Sequence, residues 1–348
     1  MTDLPTTMPA AVYRGPGDIV LEELPVPSLG PDQVLVEVAH CGICGSDIHL
    51  LLDGLGQSGS VEGHEWTGVI AAVGSDVNQW VVGDAVVGGP SPRCRHCRRC
   101  LEGKPSQCQN RTGSVMDVSE GAFARYIRTN ASAVWRLPPG LSIREAALTE
   151  PLAVALHGIT RSQVTEADSI MVFGAGPIGA LTVAALKARG FGPITVIEPG
   201  ARRRQLALDL GADEVRDPSE LELFEVLDPE RIASGACDVV IECSGHGNAV
   251  EAAFNQVGRG GRLVLVGAGI DQPNLNPLRM ILNELTLCGS FLYDADGFEN
   301  ALALLASGAL PTDLLIEPAD IALDQLVGTL RDLSSGVLAG KAMVAPGL

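Results

Sequence analysis

Ser169-Ile-Met-Val-Phe173 runs straight into Gly174-Ala175-Gly176-Pro177-Ile178-Gly179, and this junction decides how the middle of the 348-residue chain folds. The first segment is short and almost wholly apolar, as a strand buried on both faces must be. The residues from Ile178 to Arg189 read as a helix. A Gly-x-Gly-x-x-Gly pattern acquires meaning only in this setting, after a strand and at the opening of a helix. Gly174 allows the tight turn, and Gly176 lets the backbone approach a pyrophosphate. Gly179 permits close helix–strand packing, and the helix N-terminus then faces the phosphates. Three glycines alone often mean only a turn. Glu198 strengthens the pattern, because it lies 19 residues past Gly179 at the end of the next strand, Ile194-Thr-Val-Ile197. An acid there accepts hydrogen bonds from both ribose hydroxyls, so a dinucleotide site is expected. Glu198 repels a ribose 2′-phosphate and favours NAD over NADP. Arg202-Arg203-Arg204 follow closely and could hold such a phosphate, although the acid stands nearer the ribose.

Outward from this junction the texture repeats. A helix from Arg202 to Leu210 ends at Gly211, and Asp238-Val-Val-Ile241 and Arg262-Leu-Val-Leu-Val266 continue the strand series. Short apolar strands alternating with helices signal a parallel sheet covered on both faces. Residues 10 to 135 read differently, as Val-rich runs such as Gln33-Val-Leu-Val-Glu-Val38 and Gly68-Val-Ile-Ala-Ala-Val73 between Gly, Pro and Asp turns. After Gly289 the reading gives helices over Gly297–Ala306 and Leu323–Leu333 and a strand from Lys341 to Val344. The chain is expected to be α/β, with a mainly-β part and a doubly wound parallel sheet.

Composition narrows the function. The chain is 46% hydrophobic with 41 glycines, and its net charge is −18, which repels nucleic-acid backbones and anionic membranes. Its start lacks a basic region followed by an apolar stretch, and no apolar run approaches the ~18 residues of a membrane helix. A soluble, cytoplasmic protein is expected. Nine cysteines in such a chain read as thiols and metal ligands rather than a disulfide framework.

Four of them form Cys94-x2-Cys97-x2-Cys100-x7-Cys108. Thiolates at these short steps can converge on one tetrahedral zinc, and four leave no open position, so this site should be structural. The arginines in Pro92-Arg-Cys-Arg-His-Cys-Arg-Arg-Cys100 raise the rival of a zinc module for nucleic acid, which the acidic chain and the absence of interleaved aromatics disfavour. A second, distributed set comprises Cys44, His64, Glu65 and Glu150. One thiolate, one imidazole and carboxylates make an uneven shell that keeps a position for water or substrate, as catalytic zinc requires. Cys41, Cys237, Cys243 and Cys288 read as small buried hydrophobes. His40, His96, His157 and His246 have no partner nameable from sequence.

With these residues in order, the chain resembles the zinc-dependent medium-chain dehydrogenase/reductase (alcohol dehydrogenase) family over essentially its whole length. The resemblance rests on Gly63-His-Glu-Trp-Thr-Gly-Val-Ile-Ala-Ala-Val-Gly74, Cys44-Gly-Ser-Asp-Ile-His49, the four-cysteine lobe and Gly174 to Gly179. It implies a GroES-like catalytic domain over residues 1–153 and 290–348, with a structural zinc lobe at 90–110 and a Rossmann domain over 154–289. It implies two zinc ions, the catalytic one held by Cys44 and His64, with Glu65 or Glu150 completing the shell directly or through water. Ser46 matches the hydroxyl that takes the substrate proton, and His49 the relay that passes it on through the cofactor ribose. Arg203 matches a basic residue near the adenine, and Val266-Gly-Ala268 and Ser290-Phe291-Leu292 match backbone that holds the nicotinamide. Hydride then moves between NAD and an alcohol whose pKa zinc has lowered.

The use of Glu150 is most similar to the polyol and threonine dehydrogenase branch. Two departures bear on the substrate. Leucine stands in Phe291-Leu292-Tyr293 where polyol enzymes commonly carry arginine, and Leu50-Leu51-Leu52 follows the relay histidine where they favour an aromatic. An apolar wall suits a less hydroxylated substrate, whether a secondary alcohol, a partly deoxygenated sugar or cyclitol, or a larger apolar alcohol. A zinc-free reductase of this fold would lack the cysteine lobe and the Cys/His pair, and a non-catalytic binding protein would not need Ser46 and His49. The family forms dimers or tetramers, so a homo-oligomer is expected.

Overall fold

Valine-rich runs punctuated by glycine and proline build the first of two units, which comprises Met1–Glu150, Asp294–Gly308 and Ile316–Leu348. The computed structural model describes residues 4–90, 94–111, 120–223 and 228–348. Strands β1 (Thr7–Gly15) and β2 (Asp18–Pro25) form an antiparallel pair. A larger antiparallel sheet contains β3 (Gln33–Gly42), β4 (Glu65–Val73), β5 (Ala85–Gly88), β6 (Tyr126–Asn130) and β7 (Val134–Arg136). β3 is its spine, paired with β4 on one side and β6 within the other. The expected strand over Gln33–Val38 continues to Gly42, because β4 supplies a pairing partner as far as Glu65. That extension places Gly42 opposite Glu65 and carries the chain directly into helix α1 (Gly45–Leu51). A short helix, α2 (Arg98–Leu101), lies in the cysteine lobe. Pro92 and Arg93 of the basic run lie outside the described residues.

The second unit comprises Pro151–Tyr293 and Ala309–Leu315. It follows α3 (Thr149–Ser162) with β8 (Ile170–Phe173), α4 (Pro177–Ala188), β9 (Ile194–Ile197), α5 (Ala201–Asp209) and β10 (Glu214–Arg216). The series continues with β11 (Cys237–Glu242), α6 (Gly247–Asn255), β12 (Val257–Leu265), α7 (Pro277–Asn283) and β13 (Thr286–Gly289). The six strands are parallel in the order β10-β9-β8-β11-β12-β13. Successive side chains of a strand point to opposite faces, yet all four residues of β8 are buried, so both faces are covered. The order reverses between β8 and β11, which leaves a crevice at the carboxyl ends of those strands. The doubly wound parallel sheet and the mainly-β first unit are both as the sequence implied.

The chain ends with α8 (Gly297–Ala306), α9 (Thr312–Leu315), α10 (Leu326–Ser334) and β14 (Met343–Val344). The strand expected from Lys341 is shorter than its apolar pattern. Only Met343 and Val344 pair, with Gly42 and Cys41, while Lys341 bridges to Ile316. No helix among the described residues is long and apolar enough to cross a membrane.

Candidate active site

Where β3 hands over to α1, Cys44 takes the extended conformation of a helix N-cap, and its N–H donates to Asp47 Oδ2 at 2.8 Å. That bond fixes the thiol at the mouth of the helix. Gly63, at φ +96°, turns the chain into β4 so that His64 and Glu65 follow in sequence. Glu65 is completely buried and lies across Gly42, where an added Cβ would collide with its carboxylate. One ligand atom each from Cys44, His64 and Glu65 lie within 4.8 Å of one another. Glu150, in the first turn of α3 and also buried, stands beside this trio without being one of the three converging groups.

Electrostatics define the centre further. Lys341 Nζ, buried, lies 2.8 Å from Glu65 Oε1 and 2.7 Å from Oε2, and donates to the Ile43 carbonyl at 3.0 Å. Burial pushes the His64 imidazole toward neutrality, but Asp47, Cys44 and Glu150 outweigh it and hold its pKa well above the ordinary value. Burial, then the neighbouring Glu65, raises the Glu150 carboxyl to about 7. Burial likewise raises Asp47 against the pull of His64. Asp47 Oδ1 and Glu65 Oε2 are buried acceptors that receive no directional hydrogen bond, although His64 Nδ1 lies 3.6 Å from the former and Lys341 Nζ beside the latter. A thiol, an imidazole and carboxylates thus crowd one point with a single lysine to balance them. That donor set and surplus of negative charge fit a zinc ion with an open position.

The other four cysteines also converge, each Sγ within 4.8 Å of the rest. Backbone N–H groups point at the sulfurs: Cys97 toward Cys94 and Cys94 toward Cys108, both at 3.3 Å, and Gln109 toward Cys97 at 3.5 Å. The Gln109 and Cys100 N–H groups lower the Cys97 thiol to about 6, which favours the thiolate that zinc binds. Such a closed site ties metal binding to folding. Cys100→Ser is expected to remove one zinc per chain and lower the unfolding midpoint by roughly 10 °C. Metal analysis with thermal denaturation checks this, and an unchanged midpoint would exclude a structural role.

Ser46 and His49 both lie on α1 and are partly exposed. His49 Nδ1 meets Asp53 Oδ2 at 2.8 Å, which orients the ring. Leu50, Leu51 and Leu52, expected to form an apolar wall, lie in or against the core of the first unit. Leu50 and Leu51 are each 2% exposed in the core of the first unit, where the inner face of α1 must pack, and Leu52 packs against that core. Phe291 is exposed, Leu292 holds a left-handed backbone at φ +52° and Tyr293 is buried.

In the second unit the glycine turn is built for close approach. Gly174 has φ +83°, and a Cβ on Gly179 would strike the Gly174 carbonyl, so α4 packs directly on the turn. Glu198 closes the far side. Its Oε2 accepts from Ala175 N–H and its Oε1 from Gly200 N–H, both at 2.8 Å, and each oxygen keeps a lone pair for a ribose hydroxyl. Arg204 donates to the carbonyls of Glu198 and Pro199 and to Asp217, which commits it to the fold. The Arg203 guanidinium lies 3.9 Å from the point where a Gly176 Cβ would stand, at the N-terminus of α4. Pro177 and Ile178 open that helix. Val266 and Ala268 follow the carboxyl end of β12, and Ser290 and Phe291 that of β13.

Lys341 and Asp47 are the site residues that motif reading passed over. A lone lysine among Ala339, Ala342 and Met343 was the available signal, since a charge inside an apolar run implies a buried partner. Of the cysteines read as buried hydrophobes, Cys41 and Cys237 are buried, whereas Cys243 and Cys288 are partly accessible. His40 finds Asp320 at 3.0 Å, and His96 the Cys94 carbonyl at 2.7 Å.

Comparison with known proteins shows what the chain as a whole is similar to. The alcohol dehydrogenase GroES-like domain matches residues 30–139, and the zinc-binding dehydrogenase domain matches residues 177–307. Sorbitol dehydrogenase of Bacillus subtilis is 36% identical over 324 residues, covering 90% of each chain. The structure of 2R,3R-butanediol dehydrogenase from Bacillus subtilis superposes with a TM-score of 0.84 at 30% identity, over 97% of this chain and 99% of that one. Acetophenone reductase from Geotrichum candidum, in complex with NAD, gives 0.86 at 25% identity, over 99% and 98%.

Proposed function

The chain belongs to the zinc-binding medium-chain dehydrogenase/reductase family, and from that premise we propose that it transfers hydride between NAD and a secondary alcohol or ketone. The observation that carries this reading is the convergence of Cys44, His64 and Glu65 ligand atoms within 4.8 Å. Zinc bound there supplies a Lewis acid that stabilises negative charge on the substrate oxygen. Cys44 and His64 would hold the metal, Glu65 would complete the shell, and Glu150 could take the same position. Ser46 Oγ takes the substrate proton. His49, oriented by Asp53, carries it outward. Glu198 receives the adenosine ribose hydroxyls, and the glycine turn with the N-terminus of α4 receives the pyrophosphate. Arg203, Val266, Ala268 and Phe291 complete the cofactor site. The catalytic domain is taken as residues 1–153 and 290–348, the cofactor domain as 154–289, and the enzyme as a homo-oligomer.

Leu292, in place of a charged residue, favours alcohols with fewer hydroxyls than a full polyol, and sugar- or cyclitol-like alcohols remain within the class. Screening alcohols and ketones for a change in the NADH absorbance band tests the reaction. Silence across secondary alcohols and ketones, from a protein holding two zinc ions, would overturn it.

Cofactor choice should follow Glu198. Glu198→Ala is expected to lower kcat/KM for NAD roughly 10–100-fold, the value of one or two charged hydrogen bonds, while NADP use rises as its 2′-phosphate loses a repulsive neighbour. Equal use of both cofactors by the unmodified enzyme would show that Arg202 and Arg203 outweigh the carboxylate.

A further inference from the structure

We propose that Gly89 is a positioning residue for Glu150: by having no side chain, it leaves the space that sets this carboxylate beside the Cys44–His64–Glu65 centre. The inference rests on the reading of that centre as a zinc site. Gly89 follows the end of β5, and its backbone is not in the left-handed region, so conformational freedom does not explain the glycine. Space does. A Cβ at Gly89 would lie 2.8 Å from Glu150 Cγ, 2.9 Å from Phe298 Cζ and 3.3 Å from the His64 carbonyl oxygen. Three groups from three separate chain segments therefore meet over one missing methyl.

Which of them would yield to an added methyl follows from how each is held. Phe298 is 1% exposed and stacks on Trp135 with ring centroids 4.2 Å apart. Trp135 is itself held by a 2.8 Å hydrogen bond from its Nε1 to Glu299, the residue after Phe298. The ring is thus pinned from behind. The His64 carbonyl belongs to the backbone that enters β4, and its separation from the methyl is the least strained of the three. Glu150 Cγ is a methylene one bond from the carboxyl carbon, and rotation about χ1 can swing it. Glu150 moves, and its carboxylate moves with it. Gly89 acts through Glu150 and touches no reacting atom.

The test is a double-mutant cycle between Gly89→Ala and Glu150→Ala, read in metal binding rather than turnover. Cobalt(II) is exchanged into the Cys44 centre while the four-cysteine site keeps zinc, and its visible ligand-field bands report the shell. Zinc affinity is measured by competition with a chelator. Gly89→Ala should shift the cobalt bands and weaken zinc about tenfold, as loss of a supporting residue around a metal typically does. In the Glu150→Ala background the same substitution should change neither. An equal shift in both backgrounds would mean that the methyl acts through the His64 carbonyl, and no shift in either would mean that Gly89 is only packing. Each overturns the proposal. Should Gly89→Ala fail to fold, Phe298→Leu must shift the bands in the parent and not in Glu150→Ala, and its silence in the parent overturns the proposal equally. If the unmodified chain takes no metal at Cys44, the reading of the centre fails. If it does and both substitutions are silent, only the role of Gly89 fails.

Discussion

Replacing Lys341 with methionine is expected to lower the stability of the metal-stripped protein by about 3–5 kcal/mol, the usual cost of leaving one partner of a buried ion pair alone. Lys341 Nζ reaches both oxygens of Glu65 and the Ile43 carbonyl, and neither residue has meaningful solvent exposure. Methionine fills similar volume, so packing contributes little. What is lost is the lysine that balances Glu65, with Asp47 and Glu150 close enough to repel it. Zinc bound at Glu65 should offset part of this, so the deficit should be larger without metal than with it. Urea unfolding of protein stripped at the Cys44 centre alone, with zinc kept in the four-cysteine site, and of fully loaded protein measures both. A deficit below 1 kcal/mol in the stripped protein would show that Glu65 is not an ion that needs the lysine. Lys341→Arg, which keeps the charge, should recover much of the loss unless the pocket cannot take the larger head.

The second large effect is on turnover. His64→Ala should lower kcat/KM at least roughly 10³-fold, equivalent to about 4 kcal/mol of transition-state stabilisation, with one zinc per chain remaining. The imidazole sits among the polar groups Asp47, Cys44 and Glu150, so the unfolding midpoint should move far less than in Cys100→Ser. Retention of two zinc ions with normal turnover would remove His64 from the metal's ligands. Measuring both variants side by side separates a site that holds the fold from one that performs the reaction.

Much of this organisation is legible in the sequence. The glycine turn could be read because a close approach of chain to chain, here Gly179 against the Gly174 carbonyl, admits one residue type only. The cysteine lobe could be read because its ligands are neighbours in sequence and so converge locally. Strands β8, β9, β11 and β12 could be read from uninterrupted apolar runs, since a strand covered on both faces has no polar side, whereas the edge strands β10 and β13, with Glu214, Arg216 and Thr286, carry no such run. Boundaries were less legible where pairing decided them, as with β3, prolonged by β4, and β14, cut to two residues.

By itself, then, the sequence determined the α/β character, the glycine turn with Glu198 after the next strand, the four-cysteine lobe and the candidate ligands Cys44, His64, Glu65 and Glu150, because each depends on local spacing or on residue chemistry. Only the tertiary structure decided that Lys341 grips Glu65 from 276 residues away, that Asp47 backs His64, and that Leu50 and Leu51 turn into the core. It alone showed Gly89 making room between Glu150 and Phe298. The reason is the same in every case. Burial and long-range electrostatics are properties of where chain segments meet, and no spacing along the chain encodes the meeting of residues so far apart.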